Sequence, residues 1–484
     1  MKKNLFIGID LGATTLKVGA FNVETGKCVA LESAETAMIT AKKDWAEYEP
    51  ANYRNMLAKT LQTVCGAVDK QCIGGVAVSS QGQACVLLDG EGRPTRNMFV
   101  WLDSRAAEQA EKFRKLTGEK ISSFASAAKW LWVSENEPDV WSQTSAIMML
   151  PEYVTFLLTE KRVVDRDTAA STRCLSKTRL EYEPEWLAAC GVTEQMLGRP
   201  AAPCDMIGPV TGKAQNEFGI PEGTLVVAGT NDQLAGAIGA GNDSPGIISG
   251  TAGTAMALIA NLGKKAPERG IACSRHEYPI PGQHYTLTFG KTGAALFTWF
   301  RNNFAPGSDY PGLIAEAMRV PEGCDSMICI PHFQGVATPS FRDDVRGGFL
   351  NVSMNHTLAH FARSVLESVC FSALDNFELV HPLVGMPERV LLLGGASKSD
   401  AWMQMMCDIL GTPVELPAQS ESATLGAALI AATGAGFHKD LPSAIRAGVS
   451  FKKRFEPDLN RREKYLVAYR FYRDAMEKLY KGAL

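Results

Sequence analysis

At 484 residues the chain exceeds what one ordinary hydrophobic core supports, so two domains are expected, divided as 1–243 and 244–484. It is 46% hydrophobic and 21% charged with a net charge of −3, which excludes a disordered chain and gives no basis for a broad nucleic-acid or anionic-membrane surface. The 12 cysteines include no C-x-x-C pair, which argues against a zinc module and for free thiols in a reducing, cytoplasmic compartment.

The apolar run after Lys2 and Lys3 is broken by Asp10, so it does not read as a signal peptide, and no stretch of 18 apolar residues follows anywhere. Leu5 to Phe21 reads as strand, tight turn, strand, with Asp10 at the end of the first strand and Gly12, Thr14, Thr15 and Lys17 around the turn. Gly12 is expected to supply a backbone conformation closed to other residues. A third strand follows over Cys28–Glu32. A helix comes next, with Tyr53, Met56, Leu57, Leu61 and Val64 on one face. Gly74–Ser79, Cys85–Asp89 and Met98–Trp101 read as short buried strands. A helix is expected to start near Leu102, capped by Asp103 or Ser104. Phe124 to Leu180 reads as mostly helical and Pro200 to Pro209 as irregular. Thr224–Ala228 is a strand running into Gly229-Thr230-Asn231-Asp232, with a small-residue helix over Gln233–Gly241.

The second half opens like the first: strand Gly246–Ser249, turn Gly250–Thr254, strand Ala255–Ala260. Helices follow over Thr292–Asn303, Leu358–Val380, Ser399–Leu410, Ser422–Ala432 and Arg461–Lys481, with strands at Val390–Leu393 and Val414–Leu416. Strands alternating with helices place the chain in the α/β class.

A carboxylate beside hydroxyls, backbone N–H groups and a cation suits a metal-bound polyphosphate. That makes Asp10 a candidate Mg²⁺ ligand and Gly12, Thr14, Thr15 and Lys17 candidate phosphate contacts, alongside Gly250, Thr251, Gly253 and Thr254 in the second half. Gly394 and Gly395 follow a buried strand, where backbone can lie against a flat ligand. Asp232 opens a helix. A carboxylate there either accepts a hydroxyl proton or caps the helix, and the residues alone leave both open. Gln81, Gln83, Asp103 and Phe124 are groups that can meet a polyol, or equally loop and core residues. Gly290-Lys291-Thr292 resembles the end of a P-loop, but Tyr285 stands where the pattern needs glycine.

Taken together, Gly8 to Thr15, Ala77 to Asp89, Trp101 to Arg105, Gly229 to Gln233, Gly250 to Thr254, Leu393 to Gly411 and Ala423 to Ala428 resemble, in order, the motifs of the FGGY family of carbohydrate kinases, most nearly its xylulokinase branch. The resemblance implies two actin-like ATPase (ribonuclease H-like) domains around a central cleft. It implies ATP and Mg²⁺, a small sugar as partner and Asp232 as the catalytic base. Asp10 would hold the metal. Gly12, Thr14, Thr15, Lys17, Gly250, Thr251, Gly253 and Thr254 would meet the phosphates, and Gly293, Gly394, Gly395 and Ser399 would serve the nucleotide. Gln81, Gln83, Asp103 and Phe124, with Asp232, would contact the sugar. Neither nucleic acid nor membrane is an expected partner, and a homodimer is left open. Gly82-Gln83-Ala84 departs from the Met-His-Gly of xylulokinases and lacks the Arg of glycerol kinases. A ketose such as xylulose is therefore the first expectation, ahead of glycerol, gluconate or ribulose. An actin-like ATPase that phosphorylates no sugar is the alternative.

Overall fold

The computed structural model describes residues 2–176, 180–265 and 275–484. They divide into two compact units. The first comprises Met1–Gly239 together with Glu421–Gly448, the second Ala240–Ser420 together with Val449–Leu484. The expected cut between residues 243 and 244 therefore misses a crossing: late in the sequence the chain returns to the first unit. There the helix Ser422–Gly434 packs on the strand Leu5–Leu11. Gly8 permits this, since a Cβ on it would stand 1.8 Å from the Thr424 carbonyl oxygen.

The first unit is built on a six-stranded sheet in the order Met206–Pro209, Leu225–Asn231, Ile73–Ser80, Leu5–Leu11, Thr15–Asn22, Lys27–Glu35. Leu225–Asn231, Ile73–Ser80 and Leu5–Leu11 run parallel, and the outer strands are antiparallel. Their C-terminal ends therefore lie side by side, where ligands of open α/β sheets collect. A second sheet of five short strands, Met38–Ile39, Glu47–Tyr48, Met98–Phe99, Cys85–Leu88 and Ala146–Met149, stands on the same unit.

The second unit repeats the plan. From His284–Gly290 the order runs Met256–Gly263, Ile247–Ala252, Arg389–Leu393, Val414–Pro417, Phe451–Phe455, with His276–Glu277 added outside. Directions match strand for strand: antiparallel, antiparallel, parallel, parallel, antiparallel. The long helix Leu358–Val384 buries its apolar face against this sheet, as its spacing predicts.

Four local expectations change. The stretch read as mostly helical contains strands Ala146–Met149 and Val163–Asp165, because short apolar runs have no period to tell strand from helix; its residues 177–179 lie outside the described residues. The irregular segment holds strands Arg199–Ala201 and Met206–Pro209, the latter at a sheet edge where proline is tolerated. The helix placed near Leu102 begins at Ala107, after an N-cap residue, Ala106, that has no side-chain bond. Gly250 and Thr251 are strand residues, and the turn itself is Gly253–Ala255.

Candidate functional site

In the first unit Asp10 sits one residue before the end of its strand, opposite Lys17 on one side and Ser79 on the other. The Ser79 hydroxyl donates to its carboxylate at 3.0 Å. Lys17 in turn binds Glu421, which precedes the returning helix, at 2.6 Å. Burial, and the charges of Asp232 and Glu421, push the Asp10 carboxyl up to about 7, against the pull of Ser79 and Lys17. The Gly12 amide donates to the Thr15 carbonyl at 3.1 Å. Gly12 does not adopt a left-handed conformation; a Cβ there would stand 2.8 Å from the Thr15 carbonyl oxygen, so close approach is what selects glycine. Thr14 is exposed, and its carbonyl takes the Thr36 amide.

Asp232 is the first residue of the helix Asp232–Ala240. The capping bond comes from its neighbour: the Asn231 side-chain oxygen accepts from the Leu234 amide at 2.9 Å. Burial lifts the Asp232 carboxyl to about 6, with Gln233 holding it down and Asp167 adding to the rise. Asp167 also accepts from Thr230 at 3.1 Å and from the Asn231 side chain.

One short helix, Arg166–Ser171, connects this corner to the expected sugar contacts. Asp167 near its start holds Thr230 and Asn231, and Ser171 at its end accepts from the Gln83 amide at 3.4 Å. Gln81 is buried and its side chain is occupied. It donates to the Gly12 carbonyl (3.3 Å) and the Tyr48 hydroxyl (3.1 Å) and accepts from the Trp101 amide (3.4 Å). Asp103 is fully buried; it accepts from the Ala46 amide at 2.7 Å and pairs with Arg105 at 2.6 Å. Both therefore brace loops on this side of the first unit. Phe124 is 36% exposed beside Trp101, which is 40% exposed, with ring centroids 6.2 Å apart. Trp101 was not among the expected contacts. It is an exposed tryptophan two residues past a two-residue buried strand, with Val100 between.

In the second unit a cavity of about 940 Å³ is lined by Gly253, Thr254, Gly395 and Ser399, by the aromatic and aliphatic side chains Phe297, Tyr310, Ile314 and Trp402, and by Lys398 and Asp400. Gly394 adopts φ 96°, and a Cβ on it would stand 2.7 Å from the Ala252 carbonyl oxygen, so the backbone folds tightly against the turn. Gly293 donates to the Thr254 carbonyl at 2.8 Å and braces that turn. Ser399 caps the helix Asp400–Leu410 through the Trp402 amide. Gly250 and Thr251 lie in the strand behind. The aromatic lining escaped the sequence reading because Phe297 and Tyr310 belong to separate helices whose only visible signal is ordinary core periodicity.

No group of three or more His, Cys, Asp or Glu among the described residues is arranged to enclose a metal. Mg²⁺ keeps most of its waters and needs only one or two carboxylates when phosphates complete its shell. Asp10 fits that need, since its proton affinity is raised first by burial and then by neighbouring negative charge, and a divalent cation would offset both.

Two family models match the chain: the N-terminal domain of the FGGY family of carbohydrate kinases over residues 5–239, and the C-terminal domain of the same family over residues 247–435. The xylulose kinase of Bacillus subtilis (strain 168) is 28% identical over 480 residues, covering 97% of this chain and 96% of its own. The gluconokinase of the same organism is 26% identical over 447 residues, covering 88% and 86%. Among solved structures, the xylulose kinase from Rhodospirillum rubrum superposes with a TM-score of 0.89 at 26% identity, covering 98% of this chain and 99% of that one.

Proposed function

The chain belongs to the FGGY family of carbohydrate kinases, and from that premise we propose that it transfers the terminal phosphoryl group of ATP to a hydroxyl of a ketose, with xylulose the first candidate. The observation that carries the residue roles is that Asp10, near the end of its strand, and Asp232, just past the end of a parallel strand on the far side of Ile73–Ser80, lie close enough for the Asp232 charge to act on Asp10, each with a proton affinity raised by burial.

Asp232 is the base. Held near 6, its carboxyl is mostly ionised at neutral pH yet basic enough to take the sugar hydroxyl proton as the oxygen–phosphorus bond forms. The bond from phosphorus to the bridging oxygen breaks, and ADP leaves. Asp10, steadied by Ser79, would hold Mg²⁺, whose charge stabilises the phosphoryl oxygens during transfer. In the first unit, Gly12, Thr14, Thr15 and Lys17 serve the phosphates. The aromatic and aliphatic walls around Gly395 and Ser399 receive the base and ribose. Gln83, Trp101 and Phe124 face the sugar. They are uncharged, which favours a neutral ketose. The similarity to a gluconokinase keeps a sugar acid as the second reading.

ADP release from Mg-ATP, measured against D-xylulose, D-ribulose, D-gluconate and glycerol, tests this. Stimulation by D-xylulose above the other three is expected. Steady hydrolysis indifferent to every sugar would overturn the kinase reading, and preference for gluconate would replace the ketose.

A further inference from the structure

Behind the wall that carries Gln83 and Trp101 lies a lysine that no catalytic role accounts for. Lys129, in the helix Ser126–Asn136, is 0% exposed. Its ammonium donates to the Gln83 carbonyl at 3.2 Å and to the Val100 carbonyl, one residue before Trp101, at 2.8 Å. These carbonyls belong to two different loops, one following the strand Ile73–Ser80 and one following Met98–Phe99. Neither acceptor is a carboxylate.

A buried ammonium that hydrogen-bonds two neutral carbonyls, with the Phe99 ring centroid 6.0 Å away, is costly, and an apolar side chain of the same length would pack there at less expense. Burial indeed draws the Lys129 amine down to about 8; Cys85 and Asp103 act through space to raise it and Arg105 to lower it. Core stability therefore gives no reason for the charge. The geometry of what it grips does. Gln83 is held at φ 62°, a left-handed conformation that a non-glycine residue keeps only when its surroundings enforce it. The carbonyl of that same residue takes a second hydrogen bond, from the Ser126 hydroxyl at 3.3 Å. Two donors from one helix thus fix the peptide that aims the Gln83 side chain, while the second bond of Lys129 sets where Trp101 begins.

We propose that Lys129 is a positioning residue for the sugar substrate, locking the Gln83 and Trp101 loops at the separation that the sugar must span. The inference rests on the kinase reading above.

Lys129→Met keeps the length of the side chain and removes the donors. The expected result is a KM for the accepted sugar (D-xylulose, or whichever member of the panel the wild type phosphorylates) raised about tenfold, from the loss of bonds to two buried carbonyls. The KM for ATP should stay within about twofold, because the adenosine cavity lies in the other unit. Combined with Gln83→Ala, the loss should be smaller than the sum of the two single losses, because both changes act through one contact. A residue that merely filled the core would lower Tm and the active fraction and leave both KM values alone. An unchanged sugar KM in the folded variant overturns the proposal, and so does an equal rise in both KM values. If Lys129→Met does not fold, Ser126→Ala decides: a sugar KM about twofold higher supports the proposal, and an unchanged one overturns it. A wild type that phosphorylates no sugar defeats the kinase reading, and this proposal with it, before any variant is compared.

Discussion

The central strand of the first unit carries Asp10 one residue before its end, flanked across the sheet by Lys17 and Ser79. The same position in the second unit is Thr251, flanked by Ala257 and Leu393. The turns that follow match closely: Gly12 donates to the Thr15 carbonyl and Gly253 to the Ala255 carbonyl, each at 3.1 Å. One backbone plan thus carries ionisable groups at this strand position in one unit and none at the matching position in the other. The first can move protons and hold a cation. The second, with its aromatic and aliphatic cavity, can offer shape and backbone N–H groups. The proposed function divides chemistry from holding along this line, and the division can be attacked from either side.

The largest effect should follow from Asp232→Asn. Turnover should fall roughly 10³-fold while the dissociation constant for ATP, measured by calorimetry, moves little. Weakened ATP binding with turnover largely kept would erase the division of labour. Asp10→Asn comes next: turnover should drop about 10²-fold, and raising Mg²⁺ in a titration should fail to restore it. On the other unit, Gly395 has open space where a Cβ would stand. Gly395→Leu should therefore fold normally and project into the cavity, raising the KM for ATP about tenfold and leaving the sugar KM unchanged. A raised sugar KM would show that the second unit does more than hold.

The smallest effect concerns stability. Burial pushes the Glu152 carboxyl up to about 8. Because its folded value lies above its unfolded one, the stability it contributes is full below about pH 4.5 and is lost as pH rises through 8. Glu152→Gln cannot ionise, so its Tm should fall less than that of the wild type between pH 6 and pH 9, by roughly a few degrees in differential scanning calorimetry. The same slope in both proteins would mean that the carboxylate is solvated in the native state.

The strand–turn–strand units were legible because both faces of those strands are buried and their turns announce themselves with glycine and threonine. The place of Asp10 was legible because a charged residue closing an apolar run marks the end of a buried strand. The partners of Asp103 were only half legible: Arg105 lies two residues away, but nothing in that spacing shows that Ala46 closes over it. Nothing in the residues around Asp232 shows that Asn231, one position earlier, makes a capping bond to the Leu234 amide. Glu421 stands 404 positions from the lysine it binds, and no local pattern encodes such a pairing. The small sheet was only partly visible, since two of its strands, Met38–Ile39 and Glu47–Tyr48, are too short to show alternation.

The helix Ser422–Gly434, closed down on Gly8, has a consequence for how the protein is made. Emerging from a ribosome, residues 1–239 present an apolar sheet face whose cover lies some 180 positions further along the message. At ~5–20 residues per second that face waits for roughly ten seconds or more. Nascent chains of this protein should therefore be good clients for a holding chaperone until residue 448 clears the exit tunnel, and a stop codon placed before residue 421 should yield aggregates from the N-terminal half.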